Sequence, residues 1–213
     1  MDQKLKDGYQ HFLTHRFQED RALYEELATM GQTPHTLMIA CSDSRVLPQH
    51  ILNSGPGDLF LVRNVAALVP PYEADDGYHG TSAAIEFAVT VLKVQNIMVM
   101  GHTGCGGVGH VAQGHACPTS GTRSFVSQWM APLDSWMQKN TGILSSDLKA
   151  RSSMLERAAI NMSIDNLKTF PFIQERLAEK SLNIHGTIFD IHTGELNVVT
   201  QCDDGTFGVA PFE

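Results

Sequence analysis

A chain of 213 residues with 42% hydrophobic and 18% charged residues can bury a full core without disulfides, as an ordinary globular protein does. Its net charge of −8 argues against nucleic acid or an anionic membrane as partner, since both select for a basic patch, and leaves room for a small anionic substrate at a local site. No run approaches the roughly 20 apolar residues of a membrane span, and "MDQKLKDGYQHFLTHRF" lacks the apolar segment of a signal peptide.

In chain order, Leu5, Tyr9, Phe12, Leu13 and Phe17 recur near helical spacing and predict an amphipathic helix. A second short helix, "EDRALYEELATM", ends at Gly31. This arm, residues 1–30, packs either on its own domain or on a partner subunit. The pattern then changes. "TLMIACS" reads as a first strand, "DLFLVRNVA" as a second, "GTSAAIEFAVTVLKV" as a helix and "NIMVMGH" as a third strand. About 80 residues of helical pattern follow, including "RSFVSQWMAPLDSWMQ" and "MLERAAINMSIDNLKTFPFIQERLAE", with Pro132 and Pro171 placed to break or kink them. "IHGTIFDIH" and "ELNVVTQ" form a late hairpin turned at Thr193-Gly194. Strands separated by helices predict one α/β domain, a mostly parallel central sheet flanked by helices with the helical arm at its N-terminus.

In open parallel sheets the reactive ground lies beyond the carboxyl ends of the strands. Here the first strand ends in "ACSDSR" and the third in "GHTGCGGVGH". His102 and Cys105 form H-x-x-C across a Thr103-Gly104 turn, and Cys41 joins them if the two strands are neighbours. Two thiolates and an imidazole fill three of the four tetrahedral positions zinc prefers and leave one for water, the pattern of a catalytic site. Magnesium and calcium would want oxygen donors. Taken alone, H-x-x-C is weak evidence, more often a turn histidine beside a buried thiol. Cys117 and Cys202 fit no ligand spacing and read as inert, and so few, irregularly spaced cysteines point to a reducing cytoplasm rather than a disulfide scaffold.

The glycines offer a rival. Gly104, Gly106 and Gly109 spell G-x-G-x-x-G after a strand, the dinucleotide fingerprint. The ribose-binding acid expected about 20 residues on is missing, Trp129 standing there with Asp134 the nearest acid. A dinucleotide-dependent oxidoreductase is therefore the runner-up, and a non-catalytic zinc-stabilised interaction module, for which Asp43 and Arg45 would be dispensable, stands further off. Trp129 and Trp136, seven apart on one helix face, read as core or interface packing. His79, His110 and His115 read as ordinary surface histidines.

"ACSDSRV", "FLVRNVAALVPPY", "GTSAAIEFAV" and "GHTGCGGV" resemble, in order and spacing, the signatures of the β-class carbonic anhydrases, from about Gln32 to Cys105 and more loosely to the C-terminal hairpin. The resemblance implies one zinc ion per subunit on Cys41, His102 and Cys105, with Asp43 and Arg45 as the family's aspartate–arginine dyad. It implies a substrate-orienting Gln32 from a partner subunit, and Phe60 and Val65 lining a carbon dioxide pocket. Phe87, where the plant-type enzymes carry a tyrosine, joins that apolar wall, and the Gly106 backbone N–H orients substrate oxygens. Met38 and Ala40 stand where the bicarbonate-inhibited subgroup has tryptophan and glycine, which favours an open, plant-type site. The implied activity is reversible hydration of carbon dioxide by attack of zinc-bound hydroxide, in a homodimer or an assembly of dimers such as a homotetramer. Hydrolysis of carbon disulfide or carbonyl sulfide on the same site is the close variant. C-x-D-x-R then has a physical reading: the cysteine binds, the aspartate accepts a hydrogen bond from the nucleophile, and the arginine keeps that carboxylate ionised and off the metal.

Overall fold

The computed structural model describes residues 1–75, 77–114 and 124–213, so His115 and Cys117 lie outside the described residues. The N-terminal arm comprises α1 (Gln3–Thr14), α2 (Arg16–Glu19) and α3 (Arg21–Met30). Periodicity predicted one helix through Phe17, yet the chain leaves the helical region at His15, with φ −125° and ψ −82°. Thr14 Oγ1 donates back to the Gln10 carbonyl at 2.9 Å, the local competition by which hydroxyl residues mark helix ends. No residue of the three helices is buried. Phe12, Phe17 and Tyr24 pack on one another, with ring centroids 5.3–6.1 Å apart. Leu27 covers Gly57, where a Cβ would stand 2.9 Å from its Cδ2.

Six strands follow, β1 (Thr36–Cys41), β2 (Leu59–Asn64), β3 (Asn96–His102), β4 (Asn183–Phe189), β5 (Leu196–Gln201) and β6 (Phe207–Pro211), in the order β2-β1-β3-β4-β5-β6. The pairings from β2 to β4 are parallel and the last two antiparallel. Helices α4 (Pro48–Ile51), α5 (Gly80–Glu86), α6 (Gly106–Ala112), α7 (Phe125–Lys139), α8 (Leu148–Leu167) and α9 (Pro171–Ala178) connect and cover them. The strand period of two explains why "TLMIAC" has no charged position. Leu37, Ile39 and Cys41 enter the large core with Ile85, Ile97, Val99 and Leu155, while Met38 and Ala40 join Val46 and Met100 in a smaller cluster.

Several elements depart from the sequence pattern for identifiable reasons. The helix from Gly80 tightens to an end at Glu86 and continues as a π-helical turn, Phe87–Val91, in which the Leu92 N–H reaches back to the Phe87 carbonyl at 3.0 Å. α7 runs on through Pro132, because that position is exposed and the Gln128 carbonyl deprived of its helical donor can be hydrated. Pro171 sits in the first turn of α9, where its missing N–H costs nothing. The hairpin turns at Gly194, with φ +77°, as the sequence predicts. β6 carried no clear signal; it is a short edge strand ending at Pro211, a position that edge strands tolerate. Among the described residues no helix is long and apolar enough to cross a membrane.

Two features place the site. β1 is followed in sequence by β2 on one side and in space by β3 on the other, which makes the carboxyl ends of β1 and β3 the topological switch point. Their parallel register, with Ala40 opposite Met100, delivers Cys41 and His102 to one edge. α8 lies across β3 and β4 at close range because Gly101 and Gly186 leave room. A Cβ at either would come within 2.7 Å of Ile160, and at Gly186 within 2.7 Å of Ile164 as well. Replacing Gly186 with valine should therefore destabilise the protein by about 1–3 kcal/mol through overpacking. Urea denaturation reads this as a lowered midpoint at unchanged slope, and an unaltered midpoint would show that α8 has slack.

Candidate metal centre

The ligating atoms of Cys41, His102 and Cys105 lie within 4.8 Å of one another and all three side chains are buried. Cys41 closes β1 and His102 closes β3, and Gly104, with φ +67°, turns the chain so that Cys105 faces back. The two Sγ atoms stand 4.0 Å apart, far beyond a disulfide. Two thiolates on one tetrahedral zinc at about 2.3 Å would be separated by roughly 3.8 Å. His102 supplies the sharper test of fit. Its Nδ1 donates to the Thr103 carbonyl at 3.0 Å, which leaves the lone pair on Nε2. That Nε2 is buried without a hydrogen-bond partner, a costly state that a metal ion relieves. Cys41, His102 and Cys105 thus fit zinc.

The thiols are strongly coupled. A hydrogen bond from the Cys105 thiol outweighs desolvation and, with help from His102, draws the Cys41 pKa down to about 4. The same contact, together with burial, pushes Cys105 up. The His102 pKa is raised, since the Cys41 thiolate overcomes the opposing cost of burial. A dication between the sulfurs would take both as thiolates.

Asp43 and Arg45 form the predicted pair. Arg45 Nε donates to Asp43 Oδ1 at 2.9 Å and Nη2 to Oδ2 at 2.7 Å, while the Arg45 backbone N–H reaches Oδ1 at 2.9 Å. Arg45 Nη2 also donates to the Gly104 carbonyl at 3.0 Å, tying this dyad to the loop of Cys105. Asp43 Oδ2 lies 3.8 Å from His102 Nε2. Its carboxyl is held well below the usual range, first by the Arg45 hydrogen bond.

Phe60 and Phe87 come together with ring centroids 5.8 Å apart. Val65 leans on the first turn of α6, just beyond Cys105, since a Cβ on Gly107 would stand 2.9 Å from its Cγ1. Gly106 opens α6 directly after Cys105. Gln32 is not brought to the site in its own chain: it is exposed at the far end of β1, which spans roughly 16 Å at about 3.3 Å per residue. Beside the centre lies an open cavity of about 770 Å³ whose wall includes Ser42, Asn64, Val65, His79 and Trp129. His79, expected as an ordinary surface histidine, is paired with Asp75 at 2.6 Å. Trp129 packs against the large core as expected, and its Nε1 also donates to the Val65 carbonyl at 2.8 Å. The fingerprint glycines fail their test. Gly109 has open space where a Cβ would stand, so it marks none of the close helix–strand packing a dinucleotide site requires.

Sequence reasoning missed two residues that shape the centre. The Arg63 guanidinium on β2 donates to the carbonyls of Cys41, Asp43 and Val46 at 2.7–3.0 Å, holding the whole loop after β1. Glu156 on α8, only 5% exposed, accepts the N–H groups of Gly104 at 2.7 Å and Cys105 at 3.2 Å. Burial raises its pKa, against the pull of those two N–H groups. An arginine inside an apolar strand was a visible signal for the first. Nothing in "MLERAA" distinguished the second from a solvated helix charge.

Because the folded-state pKa of Asp43 lies below its unfolded value of about 3.9, the pair stabilises the protein above that pH and loses its contribution as pH falls through the folded pKa. Arg45→Leu should thus lower Tm near neutral pH, with the difference from wild type shrinking on acidification below about pH 4. Thermal scans across that range check the sign.

The carbonic anhydrase family model matches residues 36–196. Beta carbonic anhydrase 3 of Arabidopsis thaliana is 37% identical over 201 residues, covering 92% of this chain and 76% of that protein. Among solved structures, the β-carbonic anhydrase CcaA superposes with a TM-score of 0.83 at 31% identity, covering 98% of each chain. A tetrameric β-carbonic anhydrase of the filamentous ascomycete Sordaria macrospora gives 0.78 at 31% identity, covering 92% of this chain and 94% of its own. With the Cys-His-Cys cluster, the dyad and these matches in agreement, the chain belongs to the β-class carbonic anhydrases.

Proposed function

We propose that this chain catalyses the reversible hydration of carbon dioxide to bicarbonate and a proton at one zinc ion held by Cys41, His102 and Cys105. The observation that carries the reading is the buried, unpartnered His102 Nε2 set between two thiols, with the Asp43 carboxylate 3.8 Å away. When bound, zinc would supply the Lewis acidity that lowers the pKa of water and makes it nucleophilic.

The remaining roles belong to the chain. Cys41 and Cys105 oppose the dication with two negative charges, where an all-histidine set opposes none, so the pH at which water is activated lies above the value of about 7 seen with three imidazoles. Asp43, ionised and locked by Arg45, accepts a hydrogen bond from the attacking water and aims its lone pair. Both carboxylate oxygens are already engaged by Arg45, which disfavours Asp43 as a fourth ligand. Glu156 and Arg63 hold the two loops so that the donors stay convergent when no metal supports them. Phe60, Phe87 and Val65 give carbon dioxide an apolar wall, and the Gly106 N–H orients its oxygens. Gln32 of the partner subunit completes the polar side, since the chain's own Gln32 lies at the wrong end of β1. That requirement, with the unburied apolar face of the arm, supports a homodimer or an assembly of dimers. Met38 and Ala40, packed away in the smaller core, support the open, plant-type arrangement. Two free thiols that must remain ligands support a reducing compartment such as the cytoplasm.

Stopped-flow hydration of carbon dioxide, with zinc measured on the same samples, tests the reading. Asp43→Ala should lower kcat/KM by about 10²-fold or more with zinc retained, and Cys105→Ser should lose the metal. The wild-type rate should rise into the alkaline range. Full activity of Asp43→Ala across pH, or turnover of carbon disulfide or carbonyl sulfide in preference to carbon dioxide, would overturn it.

A further inference from the structure

Hydration releases one proton per turnover, and the metal centre holds no group that can carry it away: His102, Cys41 and Cys105 are committed as ligands, and Asp43 is locked ionised by Arg45. The adjoining cavity offers a route. Its wall includes Ser42, which directly follows Cys41, and Val65, which lies against Gly107 just beyond Cys105. The same wall carries His79 at the start of α5. Among the described residues lining the cavity, the titratable side chains are Glu73, Tyr78 and His79, and only a histidine has an ordinary pKa near neutrality.

His79 is also prepared for the task. Its Nε2 stands 2.6 Å from Asp75 Oδ1, and Asp75, held below its usual range by that imidazole, is the acceptor. Nε2 therefore carries the hydrogen and Nδ1 the lone pair. The side chain is 32% exposed, open enough to trade protons with solvent. Among the described residues, the charged groups about it are Asp75 and Glu73 from its own loop and Glu86 from α5, with Tyr72 in the adjoining pocket, and each of these carboxylates favours an imidazolium.

We propose that His79, backed by Asp75, is the proton relay between the metal centre and external buffer. The inference rests on the carbon dioxide reading of the site. Water and carbon dioxide yield bicarbonate and a proton; the proton crosses the cavity through water to Nδ1, giving an imidazolium with Asp75 as counter-ion. A buffer base then removes it and restores the neutral ring, and no other bond changes. The Asp75 hydrogen bond, stronger than the opposing desolvation, raises the His79 pKa, so relay-limited turnover rises with pH through a value above the ordinary 6.5.

Stopped-flow hydration by the zinc-loaded enzyme, at about 1 mM buffer and again with imidazole added to tens of millimolar, tests the relay. His79→Ala should lose about tenfold or more in kcat at low buffer, keep its kcat/KM and its zinc, and recover kcat with imidazole. Asp75→Asn should lose less and shift the pH profile of kcat downward. Unchanged kcat at low buffer would overturn the relay, as would a loss shared by kcat/KM or one that imidazole does not repair. Wild-type enzyme without hydration activity would instead overturn the reading of the site, so the two failures are distinct.

Discussion

The parallel pairing of β1 with β3 is the constraint on which the site depends. Cys41 and His102 lie 61 residues apart in the chain, and only the register that sets Ala40 opposite Met100 brings both to the same edge of the sheet. A one-residue slip would send Cys41 to the other face and leave His102 Nε2 buried with nothing to satisfy it. The register is secured by burial on both faces, with Leu37 and Ile39 in one core and Met38 and Ala40 in the other. Hydrophobic burial spread over the whole strand thus sets the geometry of three polar atoms at its end.

Converging strands are not sufficient, because two thiols and an imidazole crowded together repel or share protons when no metal is present. The surrounding polar contacts answer this by holding backbone rather than ligand atoms. Arg63 gathers three carbonyls of the loop after β1, Glu156 gathers two N–H groups of the loop after β3, and Arg45 bridges the loops through the Gly104 carbonyl. One strand, one helix and one turn each contribute a charged clamp. The three side chains bond chiefly to one another, Cys41 to Cys105, while the Nδ1 contact to the Thr103 carbonyl sets the tautomer of His102.

This division explains what the sequence could disclose. Neither H-x-x-C nor C-x-D-x-R spoke alone, but cysteine and histidine at the ends of two strands, read together as a family resemblance, pointed to a candidate metal cluster and its neighbouring dyad. Period-two and helical patterns gave the parallel strands, since their burial is written in local hydrophobicity. Glu156 was opaque, and Arg63 showed only as a charge inside an apolar strand, for the opposite reason. Each is a common residue whose meaning comes from partners 17 to 52 positions away. The arm was split at His15 by a side-chain bond no periodicity reports, and β6 was too short to register. His79 resembled any loop histidine until the fold set it on a cavity shared with Ser42, the residue after Cys41.

Gly101 and Gly186 have a reach beyond their own strands. Ile160, which rests in the hollow they leave, lies four residues beyond Glu156 on α8, about one helical turn. The two missing methyl groups therefore act as a spacer that sets how far the Glu156 carboxylate stands from the loop of Cys105. Grip on a metal at the strand tips is tuned, in this architecture, from beneath a neighbouring helix by atoms that are not there.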